Sequence, residues 1–320
     1  MAGRRKIAIT LGDPAGVGPE VVLKALLSKE VADICRPVVV GDREVIAEAG
    51  ERLGIHPDPR NTELLDISEI KRRDFDKGRP SAEGGRASVA YIKKAVELAL
   101  RGDADAIVTA PITKESLKMA GFKWPGHTEM LAELTGAKDY AMVLTGGPLR
   151  VILVTIHTAL KNVPSLVTRE RVLKTIMLAK KTCDMLGIKA PRIAVAGANP
   201  HAGEAGMFGS EEIDEIAPAV REARALGIPA SGPYPADTLF HKAYKGEFDI
   251  IVCMYHDQGL IPLKMIAFDR GVNATIGLPI IRTSPDHGTA YDIAWQGVAN
   301  PSSMVEAIKL AVRLREGDAI

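Results

Sequence analysis

Short apolar runs alternate with longer amphipathic stretches along most of the chain, the signature of an α/β protein with a largely parallel sheet. The runs predict strands at Ile7–Leu11, Pro37–Val40, Ala106–Thr109, Met142–Thr145, Val151–Thr155, Ile193–Ala196 and Ile250–Met254. The amphipathic stretches predict helices at Glu20–Leu27, Arg43–Leu53, Ser88–Leu100, Arg169–Leu186, Glu211–Leu226 and Ser302–Arg315. Thr168 and Ser210 stand where N-terminal caps belong, and Gly187 and Gly227 where a left-handed helix end requires glycine. The polar, glycine-rich stretch Lys71–Arg86 lacks periodicity and reads as a surface loop, with Lys71, Arg72, Arg73, Asp74 and Asp76 forming a solvated face.

No Ser- or Pro-rich linker marks a domain boundary. Glycine-rich polar turns occur near both chain ends, which points to one domain built from the two ends around a central insertion. At 320 residues, 46% hydrophobic and 25% charged, the chain has material for two such domains. Forty-one basic against 40 acidic residues leave a net charge of +1, and only 4% of residues are aromatic. That balance argues against nucleic acid and anionic membrane as partners. Three scattered cysteines form no disulfide framework and no CxxC pair. Cys183 falls on the stripe Val172, Ile176, Ala179, Cys183, Leu186 and reads as a core residue. The apolar run near the start, Ile7 to Leu11, is too short for a signal peptide or a membrane span, so a soluble, cytoplasmic protein is expected.

Several polar residues stand where neither a loop nor a core needs them. His157 in VTIHTA, His201 in GANPHAGE and His256 in CMYHDQG each follow an apolar strand. Separated by 44 and 55 residues, they cannot share a helix, but strand ends of a parallel sheet converge on one edge. Either each imidazole bonds its own loop, or the three meet around a divalent cation. Asp237 and Asp257 supply carboxylates for a ligand or for orienting a histidine, and Asp237 is equally suited to cap a helix. Lys264 in IPLKMIAF and Arg282 in IIRTSPDHG interrupt apolar runs; each either snorkels to water or meets an anion. Asn273 between glycines suits a ligand-facing amide or a turn. His127 and Thr128 in WPGHTEM open a helix whose free N–H groups suit an anion; capping would explain the threonine but not the histidine. The turn GDPAGVGPE is neither a Walker A loop nor a GxGxxG fingerprint.

Taken in order, GDPAGVGPE, PGHTE, NPHAGE, PADTLF, MYHDQG, GVNATIGLP and IRTSPDHGTAYDIA make the chain resemble the 4-hydroxythreonine-4-phosphate dehydrogenase family of pyridoxal phosphate biosynthesis from about Ile7 to about Arg315. That family is similar to isocitrate and isopropylmalate dehydrogenases, whose adenosine-binding loop HGTAYDIA resembles. The resemblance implies two α/β/α domains with mixed, largely parallel sheets. Residues 1–125 with 270–320 would form a discontinuous domain carrying the NAD loop, and 126–269 a central domain carrying the metal ligands and dimer interface. It also implies a homodimer with active sites at the subunit interface, and a divalent metal (zinc, cobalt or magnesium) on His157, His201 and His256, shared between subunits. Three neutral nitrogens lean towards zinc or cobalt. His127, Thr128, Lys264, Asn273 and Arg282 match the substrate-binding positions. Asp286, His287, Gly288, Thr289, Ala290 and Asp292 form the matching cofactor loop for NAD, or NADP.

The implied reaction is NAD-dependent oxidation of 4-phosphohydroxy-L-threonine, followed by decarboxylation to 3-amino-2-oxopropyl phosphate. Lys264, Asp237 and Asp257 are the candidate catalytic residues, with Asp237, Asp257 and a metal-bound hydroxide as alternative bases. Relatives that act on D-threonate or D-erythronate 4-phosphate are the alternative within the family. A metal-dependent phosphatase or hydrolase would explain the histidines but gives HGTAYDIA no role.

Overall fold

A computed structural model of the chain describes residues 4–56, 58, 60–70 and 75–314. Among them are the strands β1 (Arg5–Thr10), β2 (Cys35–Gly41), β3 (Glu63–Asp66), β4 (Ala106–Thr109), β5 (Ala141–Gly146), β6 (Leu149–Leu153), β7 (Ile193–Ala196), β8 (Ala230–Tyr234), β9 (Ile250–Cys253), β10 (Val272–Ile276) and β11 (Arg282–Pro285). The α-helices are α1 (Gly18–Leu26), α2 (Lys29–Ile34), α3 (Arg43–Leu53), α4 (Ala82–Leu100), α5 (Lys114–Met119), α6 (His127–Thr135), α7 (Val163–Leu166), α8 (Arg169–Met185), α9 (Ala217–Ala225), α10 (Ala236–Tyr244), α11 (His256–Ala267) and α12 (Ser302–Arg313). The chain divides into two compact units, one of residues 4–138 with 278–314 and one of residues 139–277. Among the described residues no helix is long and apolar enough to cross a membrane.

In the first unit the strands run β3-β2-β1-β4-β11, and all their pairings are parallel. All four residues of β4 are buried, so the sheet must be covered on both faces. Two groups of helices provide that cover. α4 packs on β1, β2 and β4 together with α5 and α6, while α12 packs on β1, β4 and β11 together with α1 and α2. The second unit runs β10-β5-β6-β9-β7-β8. β10, β5 and β6 pair antiparallel, and β6, β9, β7 and β8 pair parallel. Leu144, Val151, Leu153, Ile251, Cys253 and Leu263 lie in its core. The architecture is the α/β class with largely parallel pairing that the hydrophobic pattern predicts, and the antiparallel pairs make it mixed, as the resemblance implies.

Local chemistry explains most boundaries. Thr168 Oγ1 caps α8 by accepting from Arg171 N at 3.4 Å, and Gly187 and Gly227 take φ of +76° and +78°. Cys183 is fully buried, as its stripe predicts. The helix predicted from Glu211 instead opens with a π turn at Glu212–Ile216, and α9 starts only at Ala217. Pro218 lacks the N–H that a continuous helix would use there, and the wider turn absorbs it. Ser210 forms no side-chain cap; its carbonyl accepts from Ile213 N and Asp214 N.

The predicted loop Lys71–Arg86 is corrected at its far end, since α4 begins at Ala82 with Ser81 Oγ accepting from Gly84 N at 2.9 Å. Gly84 and Gly85 are packing glycines rather than loop glycines. A Cβ on Gly84 would come 2.5 Å from Asp13 Oδ1, and one on Gly85 2.1 Å from the Ser116 carbonyl. Lys71, Arg72, Arg73, Asp74 and Arg315 lie outside the described residues.

Candidate active site

The three histidines follow three neighbouring parallel strands. His157 lies beyond β6, His256 opens α11 directly after β9, and His201 lies beyond β7, with β9 pairing both β6 and β7. The His157 and His256 rings are 5.7 Å apart, centroid to centroid, along a cleft of about 390 Å³ also lined by Ile156, Thr158, Tyr255 and Asp257. Asp257 Oδ1 pairs with His256 Nδ1 at 2.8 Å. That contact fixes the ring and leaves Nε2 as the nitrogen for a ligand.

His201 does not join this pair. It stands on a left-handed turn in which His201, Ala202, Gly203, Glu204 and Ala205 all have positive φ, and its Nδ1 lies 3.4 Å from Glu204 Oε2. Among the described residues no three His, Cys, Asp or Glu side chains come close enough to hold a metal ion. Two imidazoles beside a cleft, one oriented by a carboxylate, nonetheless form a donor set suited to a divalent cation.

The first unit carries the anion-binding candidates. Gly126 is the N-cap of α6 and no side chain caps it, so Thr128 is not a cap; His127 and Thr128 form the first turn. His127 Nε2 is buried without a hydrogen-bond partner among the described residues. Burial and the nearby Arg282 charge hold its imidazole well below the usual 6.5. Arg282 is 2% exposed on β11 and donates through Nε and Nη2 to Thr109 Oγ1, at 3.1 and 2.8 Å. Burial lowers its pKa to about 9.

In the second unit, Asn273 on β10 has a buried Oδ1 with no partner, while Nδ2 faces the weakly accepting Met142 sulfur at 2.8 Å. Lys264 has the access to water that one of its two sequence readings requires. Its apolar run is the face of α11 on which Ile261, Met265 and Ile266 are exposed, and Lys264 itself is only half-buried, Nζ 5.9 Å from the Phe268 ring. Only part of that run is core: Leu263 is fully buried, while Ile261 and Met265 face outward. Asp237 sits exposed in the first turn of α10 and makes no cap, Pro235 being the N-cap residue.

The loop after β11 holds the cofactor candidates. His287, Gly288 and Asp292 are exposed, Asp286 and Ala290 half-buried and Thr289 buried. The GDPAGVG turn is the platform beneath it. Val17 N donates to the Thr289 carbonyl at 2.9 Å, and a Cβ on Gly16 would come 2.9 Å from the same oxygen. Tyr291 OH donates to Asp13 Oδ2 at 2.8 Å, and Trp295 Nε1 to the Pro14 carbonyl at 3.0 Å. Asp13 is fully buried, and desolvation raises its pKa. The sequence reading missed Asp13 and Tyr291, because Asp before Pro looks like an ordinary turn; the helical Gly84 packed against Asp13 is the signal that marks it.

The family model for pyridoxal phosphate biosynthetic protein PdxA matches residues 33–311. The chain belongs to that family. It is 52% identical to a 4-hydroxythreonine-4-phosphate dehydrogenase of Geobacter metallireducens, covering 97% of this chain and 95% of that one. A D-threonate 4-phosphate dehydrogenase of Salmonella typhimurium is 46% identical, with 97% and 99% covered. The crystal structure of 4-hydroxythreonine-4-phosphate dehydrogenase from Klebsiella pneumoniae superposes with a TM-score of 0.89 at 41% identity, covering 98% of this chain and 99% of that one. An isocitrate dehydrogenase of Methylococcus capsulatus shares the fold alone, with a TM-score of 0.52 at 14% identity over 96% of this chain and 85% of that one. As a member of the PdxA family, the chain is a dehydrogenase.

Proposed function

We propose that the chain oxidises the secondary alcohol of 4-phosphohydroxy-L-threonine with NAD, in a metal-dependent reaction that releases CO2 and leaves 3-amino-2-oxopropyl phosphate. The observation that carries the reading is the His157–His256 pair, 5.7 Å apart beside a cleft, in a chain 52% identical to a 4-hydroxythreonine-4-phosphate dehydrogenase. His157, His201 and His256 hold the divalent cation, with the set completed between the subunits of a homodimer. Bound there, such a cation lowers the alcohol pKa and stabilises negative charge as CO2 leaves. The loop Asp286–Asp292 takes the nicotinamide cofactor, which supplies the hydride acceptor that no side chain provides.

The chain's own groups bind and orient the substrate. Arg282 and the first turn of α6, with His127 and Thr128, receive the phosphate; the buried, unpartnered His127 Nε2 supports this role. Asn273 Oδ1, also buried and unpartnered, accepts from a substrate N–H or O–H. Lys264 contacts a substrate anion. Asp257 orients His256, and Asp237 or Asp257 takes the hydroxyl proton. Oxidation sends a hydride from the carbinol carbon to NAD and that proton to the base. The bond between the carboxylate and the α-carbon then breaks, its electron pair moves onto the new carbonyl as CO2 leaves, and a proton returns to the α-carbon to give the ketone.

A second substrate is favoured by one specific observation, the 46% identity to a D-threonate 4-phosphate dehydrogenase. Initial rates of NADH formation with 4-phosphohydroxy-L-threonine, D-threonate 4-phosphate and D-erythronate 4-phosphate test the assignment. The first substrate should give the highest kcat/KM, and a higher value for either acid-sugar phosphate would transfer the assignment to it.

A further inference from the structure

Between the three histidine-bearing strand ends runs a buried set of hydrogen bonds that the proposed chemistry does not use. Thr155, 1% exposed and two residues before His157, donates from Oγ1 to the Met254 carbonyl at 2.7 Å. Met254 N, two residues before His256, donates to Gln258 Oε1 at 2.7 Å. Gln258 Nε2 then donates to the Gly197 carbonyl at 2.7 Å, reaching the end of β7. There Glu212, 3% exposed, accepts from Ala198 N and Asn199 N, both at 2.7 Å on Oε1, and from Asn199 Nδ2 at 3.0 Å on Oε2. The next residues, Pro200 and His201, lead into the left-handed turn.

The packing leaves this arrangement little freedom. A Cβ on Gly197 would come 2.9 Å from Ala202 Cα and 3.0 Å from Glu212 Oε1, and one on Gly203 2.6 Å from Glu212 Oε2. Gln258 is 8% exposed and uses both amide atoms, one towards each strand end. A buried amide satisfied on both sides holds its partners at fixed separation, because releasing either strands a polar group away from water.

We infer that Gln258, backed by Glu212 and Thr155, is a positioning residue that holds the segments bearing His157, His201 and His256 of its own chain in the conformations from which each imidazole reaches a metal shared between subunits. This rests on the metal-site reading above. Gln258 touches none of the three imidazoles in this role; it acts through the backbone of Met254 and Gly197. Groups that orient metal ligands in this way typically account for 10–100-fold of metal affinity.

The test is Co²⁺ and Zn²⁺ affinity of the metal-stripped full chain by titration calorimetry, together with the Co²⁺ d–d spectrum and the melting temperature. Gln258→Met keeps the side-chain length and removes both polar atoms. It should weaken metal binding on the order of 10–100-fold and alter the d–d spectrum, with a cooperative unfolding transition retained. Glu212→Ala should weaken binding similarly, and Glu212→Gln, which keeps an acceptor for Ala198 N and Asn199 N, should restore most of it. If Gln258→Met does not fold, Thr155→Val, which keeps the shape and removes one link, decides the matter with a loss at the low end of that range. Wild-type affinity and spectrum in the folded variant, alongside lost binding in His157→Ala, would overturn the inference and leave the metal site standing. No metal binding by the wild-type chain would instead remove the reading on which it rests.

Discussion

The imidazoles of His157 and His256 lie 5.7 Å apart, tilted by 42°, although 99 residues separate them in the chain. The parallel pairing of β6 with β9 brings them together, and the 2.8 Å contact from Asp257 to His256 Nδ1 fixes one ring. Substituting either with alanine should abolish most metal binding and most turnover while the far-UV dichroism stays unchanged. His201→Ala should do the same. Metal content measured on the purified variants checks this, and full occupancy in one of them would remove that histidine from the site.

Arg282→Met should separate stability from catalysis. The side chain is 2% exposed and its burial lowers the pKa to about 9, so the charge is costly to the fold. Methionine keeps the apolar stem. The melting temperature should hold or rise, while kcat/KM falls on the order of 100-fold with loss of about 3 kcal/mol of charge-assisted binding. A large drop in melting temperature with activity per folded molecule intact would make Arg282 a structural residue.

Lys264→Met gives a contrasting case, because Lys264 is half-buried beside exposed Ile261 and Met265 rather than inside a core. Its melting temperature should not move. Its kcat/KM should fall while the KM for NAD stays constant, as steady-state kinetics with each substrate varied will show.

His127 should make the fold acid-sensitive. Its pKa in the folded chain lies well below 6.5, so as pH falls the unfolded chain takes up the proton first. The stability it contributes is present above about pH 6.5 and is lost below it, by up to about 1.4 kcal/mol per pH unit until the folded-state pKa is reached. Denaturant titrations at pH 7 and pH 5 should show a smaller loss for His127→Gln than for the wild type. Equal losses would contradict the depressed pKa.

The loop proposed to take the cofactor rests on the turn that begins at Gly12, so a change beneath it should act at a distance. The Cβ of Gly16→Ala would meet the Thr289 carbonyl and displace the loop. The KM for NAD should rise severalfold with the KM for the phosphorylated substrate nearly constant. A reversed pattern would dissociate this loop from the cofactor.

Where burial and periodicity agree, the hydrophobic pattern is enough to locate the elements: Arg43–Leu53, Ala106–Thr109 and Ile193–Ala196 form as the apolar spacing predicts. It fails where packing overrides composition. β11 reads Arg-Thr-Ser-Pro and is nonetheless fully buried, because its polar side chains find partners such as Thr109 and the Ala307 carbonyl. α11 carries Pro262 and a run of apolar residues that suggests a core, yet half of that run faces outward. The strand-then-histidine pattern marks the three imidazoles in the sequence alone. The contacts that hold them are another matter. Gln258 reaches Gly197 across 61 residues and Glu212 reaches Asn199 through a π turn, and neither pairing leaves a periodic trace in the sequence.

The central claim is a metal-dependent, NAD-linked oxidation of 4-phosphohydroxy-L-threonine, and absorbance at 340 nm tests it most directly. With NAD and that substrate, the purified chain should produce NADH and release CO2 in equal amounts. Chelation should abolish the signal, and Zn²⁺ or Co²⁺ should restore it. Undiminished NADH formation in the metal-stripped enzyme, or none with this substrate under any metal, would contradict the account.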